Sequence, residues 1–160
     1  MSEQQVFVEI PLAELLGQAS QMKGQGWRFV QCHATRGAGV EATPEQEPAT
    51  ESDGPAMIPT FELTYSFSND ATRELLNYRV NITQDQAVPS VSVLFPTAFM
   101  FENEMHDLFG INVEGISIDF QGGFYHLHYP APMAQAPEKA TRKAAPTKKP
   151  AGAEPAPDAN

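Results

Sequence analysis

Two runs of alternating side chains set the frame of this chain. Phe61, Leu63, Tyr65 and Phe67 are interleaved with Glu62, Thr64, Ser66 and Ser68. Leu76, Tyr78, Val80 and Ile82 then alternate with Leu75, Asn77, Arg79 and Asn81, and Ser68-Asn69-Asp70 supplies turn residues between the runs. A period of two places one apolar set on one face of a strand, so the pair predicts an antiparallel hairpin with a buried face.

The flanking segments supply what covers that face. Val6-Phe7-Val8-Glu9-Ile10 predicts a short strand, and Pro11 suits a first helical position. Leu12, Leu15, Leu16, Ala19 and Met22 follow at helical spacing, and Gly24 and Gly26 end the helix. Trp27 to Arg36 predicts a strand, with Trp27, Phe29, Gln31 and His33 on one face and Val30, Cys32 and Ala34 on the other. A second helix opens at Pro96 or Thr97, carries Phe101, Met105, Leu108 and Phe109 as an apolar stripe, and stops at Gly110. Ile116, Ile118 and Phe120 alternate with Ser117 and Asp119, and Gln121-Gly122-Gly123 forms a turn. Phe124 to Tyr129 then predicts a returning strand.

The expected fold class is α/β in the α+β sense, a mostly antiparallel sheet with two helices packed on it. Residues 1–133 form the expected domain. Within it, 41–59 is rich in Pro and acids and predicts a flexible acidic loop. Residues 134–160, mostly Ala, Pro and Lys, predict a disordered tail.

Charge excludes some functions. Residues 1–133 carry 5 basic and 17 acidic side chains, and there is neither Lys nor Arg between Arg79 and Lys139. Such a body is a poor nucleic-acid binder, since phosphates are neutralised by Lys and Arg. A single cysteine, Cys32, forms no internal disulfide and suits a reducing compartment. No secretory signal is read at the N-terminus, and no apolar run reaches the ~20 residues that cross a bilayer.

The acids of the second helix, Glu102, Glu104 and Asp107, have no basic neighbour at i+3 or i+4. Negative charge near a helix C-terminus is unfavourable. The pattern predicts carboxylates that accept hydrogen bonds from Arg or backbone N–H groups at a packed junction, either within this chain or with another subunit. A catalytic alternative pairs Glu102 with His106, four residues apart. His126 and His128, two apart on the expected strand, would share a face and with His106 and Glu102 could serve a small metal-dependent enzyme. No GxGxxG, P-loop, GxSxG or cluster-binding cysteine set is present, so neither catalytic residues nor a cofactor is assigned.

Val88-Pro89-Ser90, followed by Phe101 through Ile111 and then Glu114-Gly115, resembles the thirty-kilodalton subunit family of respiratory complex I. That family carries a "VPS", then a helix of the pattern E-R-E-x-x-D-(L/M)-F-G-I. Glu102, Glu104, Asp107, Phe109, Gly110 and Ile111 match, and Asn103 stands where the family usually has Arg. Quinone-reducing members continue after the Gly with a basic His-Pro-Asp-Leu-Arg-Arg-like segment, whereas here Gly115 leads into Ile116-Ser117-Ile118-Asp119. The departure is more similar to the small D-type subunit of Ech-like energy-converting [NiFe] hydrogenases. The resemblance implies a non-catalytic, cofactor-free scaffold attached peripherally to the cytoplasmic face of a membrane. Its partners would be a hydrogenase-like large subunit and a small iron-sulfur subunit, in a complex coupling ferredoxin-linked hydrogen metabolism to ion translocation. An NADH/quinone or deazaflavin-type complex-I-like oxidoreductase is the other parent it allows. The expected interface is the helix 97–109 with the hairpin 115–129, through Glu102, Glu104, Asp107, Phe109, Gly110, His126 and His128.

Overall fold

The computed structural model describes residues 5–41 and 57–134. The acidic loop, apart from its two ends, and the C-terminal tail beyond Ala134 lie outside the described residues. The chain is α+β. Strand β1 (Gln5–Glu9) leads through a single 3-10 turn (Leu12–Glu14) into helix α1 (Leu15–Gly24), then β2 (Arg28–Arg36), the short pair β3 (Val40–Glu41) and β4 (Met57–Ile58), β5 (Thr60–Asn69) and β6 (Glu74–Thr83). After these come β7 (Val88–Pro89), helix α2 (Ala98–Phe109) and β8 (Val113–Glu114).

The alternating runs form the predicted hairpin, with Tyr65 opposite Tyr78 and Leu63 opposite Val80. It is the centre of a four-stranded sheet in the order β1-β6-β5-β2. Strand β2 pairs antiparallel with β5, while β1 joins the far edge parallel to β6. Phe61, Leu63, Tyr65 and Phe67 are fully buried. Each such side chain is worth about 1.5–3 kcal/mol of hydrophobic stabilisation.

Both helices lie on this face. Phe61 meets Phe109 of α2 edge to face, and Phe29 of β2 meets Phe101 of α2. Helix α1 buries Leu15, Ala19 and Met22, and its Gln18 accepts a hydrogen bond from the Tyr78 hydroxyl. The opposite face is polar. There Ser66 donates to Asn77 Oδ1 at 2.7 Å, and the Arg79 guanidinium sits 4.2 Å above the Phe7 ring.

Strict alternation fails in β2. The register shifts between Phe29 and Gln31, so Phe29 is buried together with Cys32 and Ala34 while Val30 faces out. A bulge consumes one extra residue, which moves everything after it to the other face. The expected face of Phe29 with Gln31 and His33 is therefore corrected.

The larger correction is the hairpin at 115–129. Val113–Glu114 pairs in parallel with Val88–Pro89, and residues 116–129 form neither strand nor helix. His126 and His128 are consequently not on a common strand face. The backbone of this segment is held by side chains from elsewhere, which removes the N–H groups a ladder would need.

Candidate docking site

Helix α2 is buried on two sides, and this decides what its polar residues do. Phe101, Met105 and Phe109 pack on the core as the apolar periodicity predicts, whereas Leu108 of the expected stripe is half-buried and outside it. Glu102, Asn103 and Asp107 are also buried. Gly110 closes the helix in the left-handed conformation at φ 69°, its N–H bonded to the His106 carbonyl. A Cβ there would lie 3.1 Å from that of Ala131. This glycine supplies both the backbone turn and the space that lets the chain cross back over the helix.

Glu102 is fully shielded from solvent. Its Oε2 accepts from the Ser90 hydroxyl at 2.6 Å and its Oε1 from the Val91 N–H at 2.7 Å. Ser90 Oγ lies 2.6 Å from Ser92 Oγ, and Ser92 Oγ accepts the Ser117 N–H at 2.8 Å. One carboxylate thus joins the 88–92 segment to the helix and, through two serines, to the coil beyond β8. Burial pushes the Glu102 carboxyl above its ordinary range, against the hydrogen bonds that pull it down. Burial, helped by the charges of Glu102 and Glu104, raises the Cys32 thiol well above its usual range, which makes it a poor nucleophile.

Asn103 and Asp107 clamp the same coil. Asn103 Nδ2 donates to the carbonyls of Phe99 at 2.7 Å and Ile118 at 2.8 Å, while its Oδ1 accepts the Phe120 N–H at 2.9 Å. Asp107 Oδ2 accepts the Tyr125 N–H at 2.7 Å. Farther along, the Met133 N–H reaches the Leu108 carbonyl. Backbone groups at 117, 118, 120, 125 and 133 are therefore satisfied by α2 or by Ser92. The carboxylate partners are hydroxyl and backbone N–H groups of this chain rather than Arg. In the sequence Asn103 was visible only as a departure from a pattern, and its three hydrogen bonds had no local signal.

The coil so held turns apolar side chains outward. Ile118, Phe120, Leu127 and Met133 are exposed, and Tyr129 is 68% exposed. Of the expected interface residues, Glu102 is internal, Glu104, Phe109 and Gly110 are half-buried, Asp107 is buried, and His126 and His128 are exposed. A cleft of about 510 Å³ brings together His106, Asp107, Gly110, His126 and His128. Glu104 instead borders a second cleft with Cys32 and Phe109.

The catalytic pairing is not formed. Both Glu102 oxygens are engaged as above, and His106 Nδ1 faces the Ile111 carbonyl at 3.2 Å. Among the described residues no three His, Cys, Asp or Glu side chains gather closely enough to hold a metal ion. No helix among them is long and apolar enough to cross a membrane.

Fold and site together define an α+β domain whose helix carries a bound, outward-facing apolar coil. The family model "Respiratory-chain NADH dehydrogenase, 30 Kd subunit" matches residues 14–119, more than half of the chain, and the chain belongs to that family. The C-type subunit of an NADH-quinone oxidoreductase from Ruegeria pomeroyi is 35% identical over 66 residues, which cover 41% of this chain and 33% of the relative. Its counterpart in Rhodopseudomonas palustris is 32% identical over 66 residues, covering 41% and 32%. The matched stretch thus spans about a third of the curated relatives. A chain in the structure of the membrane-bound sulfane sulfur reductase, an archaeal respiratory membrane complex, shares the fold. Its TM-score is 0.55 at 19% identity, over 75% of this chain and 62% of that one.

Proposed function

We propose that this chain is a scaffold subunit without a redox centre of its own in a membrane-bound, complex-I-like respiratory assembly. It docks through helix α2 and the coil 116–133. The observation that carries this reading is the exposed apolar set Ile118, Phe120, Leu127, Tyr129 and Met133 on a coil fixed in place by Ser92, Asn103 and Asp107. Clustered exposed apolar side chains mark interaction surfaces, and fixing them beforehand lowers the ordering cost of binding.

The finer reading is an energy-converting [NiFe] hydrogenase. In it the chain packs on a hydrogenase-like large subunit and a small iron-sulfur subunit at the inner face of the cell membrane. Support comes from the segment after Gly115, which lacks the basic residues of quinone-reducing members. The second reading, the C-type subunit of an NADH-quinone oxidoreductase, is favoured by the names of the curated relatives.

Affinity purification of the full chain from native membranes, with identification of co-purifying subunits, separates the two. A hydrogenase-type large subunit supports the first reading and an NADH-oxidising module supports the second. Recovery of the wild-type chain alone, or equal recovery of partners by a Leu127→Asp/Tyr129→Asp variant, would contradict docking through this coil.

A further inference from the structure

The cleft at the C-terminal end of α2 contains a carboxylate that is only half satisfied. Asp107 is 4% exposed and borders the cleft, and its Oδ2 holds the Tyr125 N–H. Its Oδ1 is closed to solvent and meets no hydrogen-bond donor among the described residues. A buried carboxylate oxygen without a donor is costly. The site also lies in the last turn of α2, where the helix dipole adds negative potential. This chain has no Lys or Arg between Arg79 and Lys139 to answer it.

The rest of the cleft suits one kind of cation. Tyr125 and Tyr129 supply aromatic rings, and the His106, His126 and His128 imidazoles complete the polar rim. A planar guanidinium stacks on such rings and pairs with a carboxylate at the same time, which an ammonium group does less well. The wall formed by 126–129 lies between the clamped amides of Tyr125 and Met133, so it is the part that yields to admit a side chain.

We propose that this cleft receives an arginine side chain of a partner subunit, with Asp107 as its counter-charge. The inference rests on the docking reading above and names the chemistry of the contact. It makes Asp107 serve two functions, holding the coil through Oδ2 and presenting Oδ1 to the partner.

The test measures rebinding of the full purified chain to membranes from a strain lacking it, at low and high salt. Asp107→Asn keeps an oxygen for the Tyr125 N–H and removes the charge. It should weaken binding by at least about tenfold at low salt and flatten the salt dependence. Its thermal midpoint should be no lower than the wild-type value, since the change removes a buried unpaired charge. Glu14→Gln, an equal change of net charge at an exposed position far along the chain, should bind like wild type. Treating the membranes with phenylglyoxal, which blocks guanidinium groups, should lower wild-type binding to the Asp107→Asn level and leave that variant unchanged.

The proposal is overturned if Asp107→Asn binds like wild type, if Glu14→Gln loses as much, or if the loss appears only with a lowered melting point. Blocking lysines instead of arginines with the same effect would overturn it as well. A wild-type chain that does not bind at all would remove the docking reading itself, so the two failures are distinguishable.

Discussion

The hairpin β5–β6 and the coil 116–133 carry similar apolar alternation and solve their backbone hydrogen bonding in opposite ways. In the hairpin each strand satisfies the other through a continuous ladder from Thr60–Thr83 to Asn69–Glu74. In the coil the groups are satisfied by side chains of Ser92, Asn103 and Asp107. A ladder spreads its stability over many equivalent bonds. A set of side-chain clamps concentrates it in a few residues, so single substitutions there should have large, local effects and substitutions at the edge of the sheet small ones.

That contrast breaks most sharply at Glu102. Glu102→Ala strands the Val91 N–H, leaves the Ser90 hydroxyl only its contacts with Ser92, and opens a cavity between α2 and 88–92. A loss of about 3–5 kcal/mol is expected, read by denaturant unfolding of the full chain. Gly110→Ala comes next, at roughly 2 kcal/mol. Positive φ and the close approach to Ala131 both oppose a Cβ. Asn103→Ala should cost about 1–3 kcal/mol. Its distinguishing readout is local, with faster amide exchange at Phe120 and no change in β5 or β6. Val8→Thr on the exposed edge strand β1 should fall within about 0.5 kcal/mol of wild type.

A pH experiment sharpens the same comparison with a smaller effect. The Glu102 carboxyl is raised in the folded state, so that state binds the proton more tightly than the unfolded chain. The stability this group contributes is therefore fully present below the ordinary carboxyl range. It declines as pH rises through the raised value. Glu102→Gln, which keeps an acceptor for Val91, should remove that decline. Unfolding free energies of the two proteins, measured from about pH 4 to about pH 8, should converge toward the acid end.

How much of this was readable from sequence follows from where each hydrogen bond goes. The hairpin was legible because strand and partner are adjacent in the chain and period two reports the buried face directly. The end of α2 was legible from Gly110. The β2 faces were misread because a bulge leaves no mark in composition. The coil was misread as a hairpin because Ile116, Ile118 and Phe120 alternate as a strand does, while the groups that capture its backbone sit 15 to 25 residues earlier. The acids of α2 stood out as lacking bases, and the expectation of backbone N–H partners holds for Glu102 and Asp107. What sequence could not reveal is that Glu102 belongs to the same buried surface as Met105, because serine hydroxyls rather than charges make its burial tolerable.

The central claim is that the coil is already fixed in the free subunit and is the face that meets a partner. Amide hydrogen exchange of the full chain, alone and within the assembled native complex, tests it most directly. The account predicts that Ser117, Phe120 and Tyr125 exchange slowly in both states, and that residues 126–129 are fast when free and slow on assembly. The β5–β6 ladder should be unchanged. Fast exchange at all three clamped amides in the free chain, or no change at 126–129 on assembly, would contradict it.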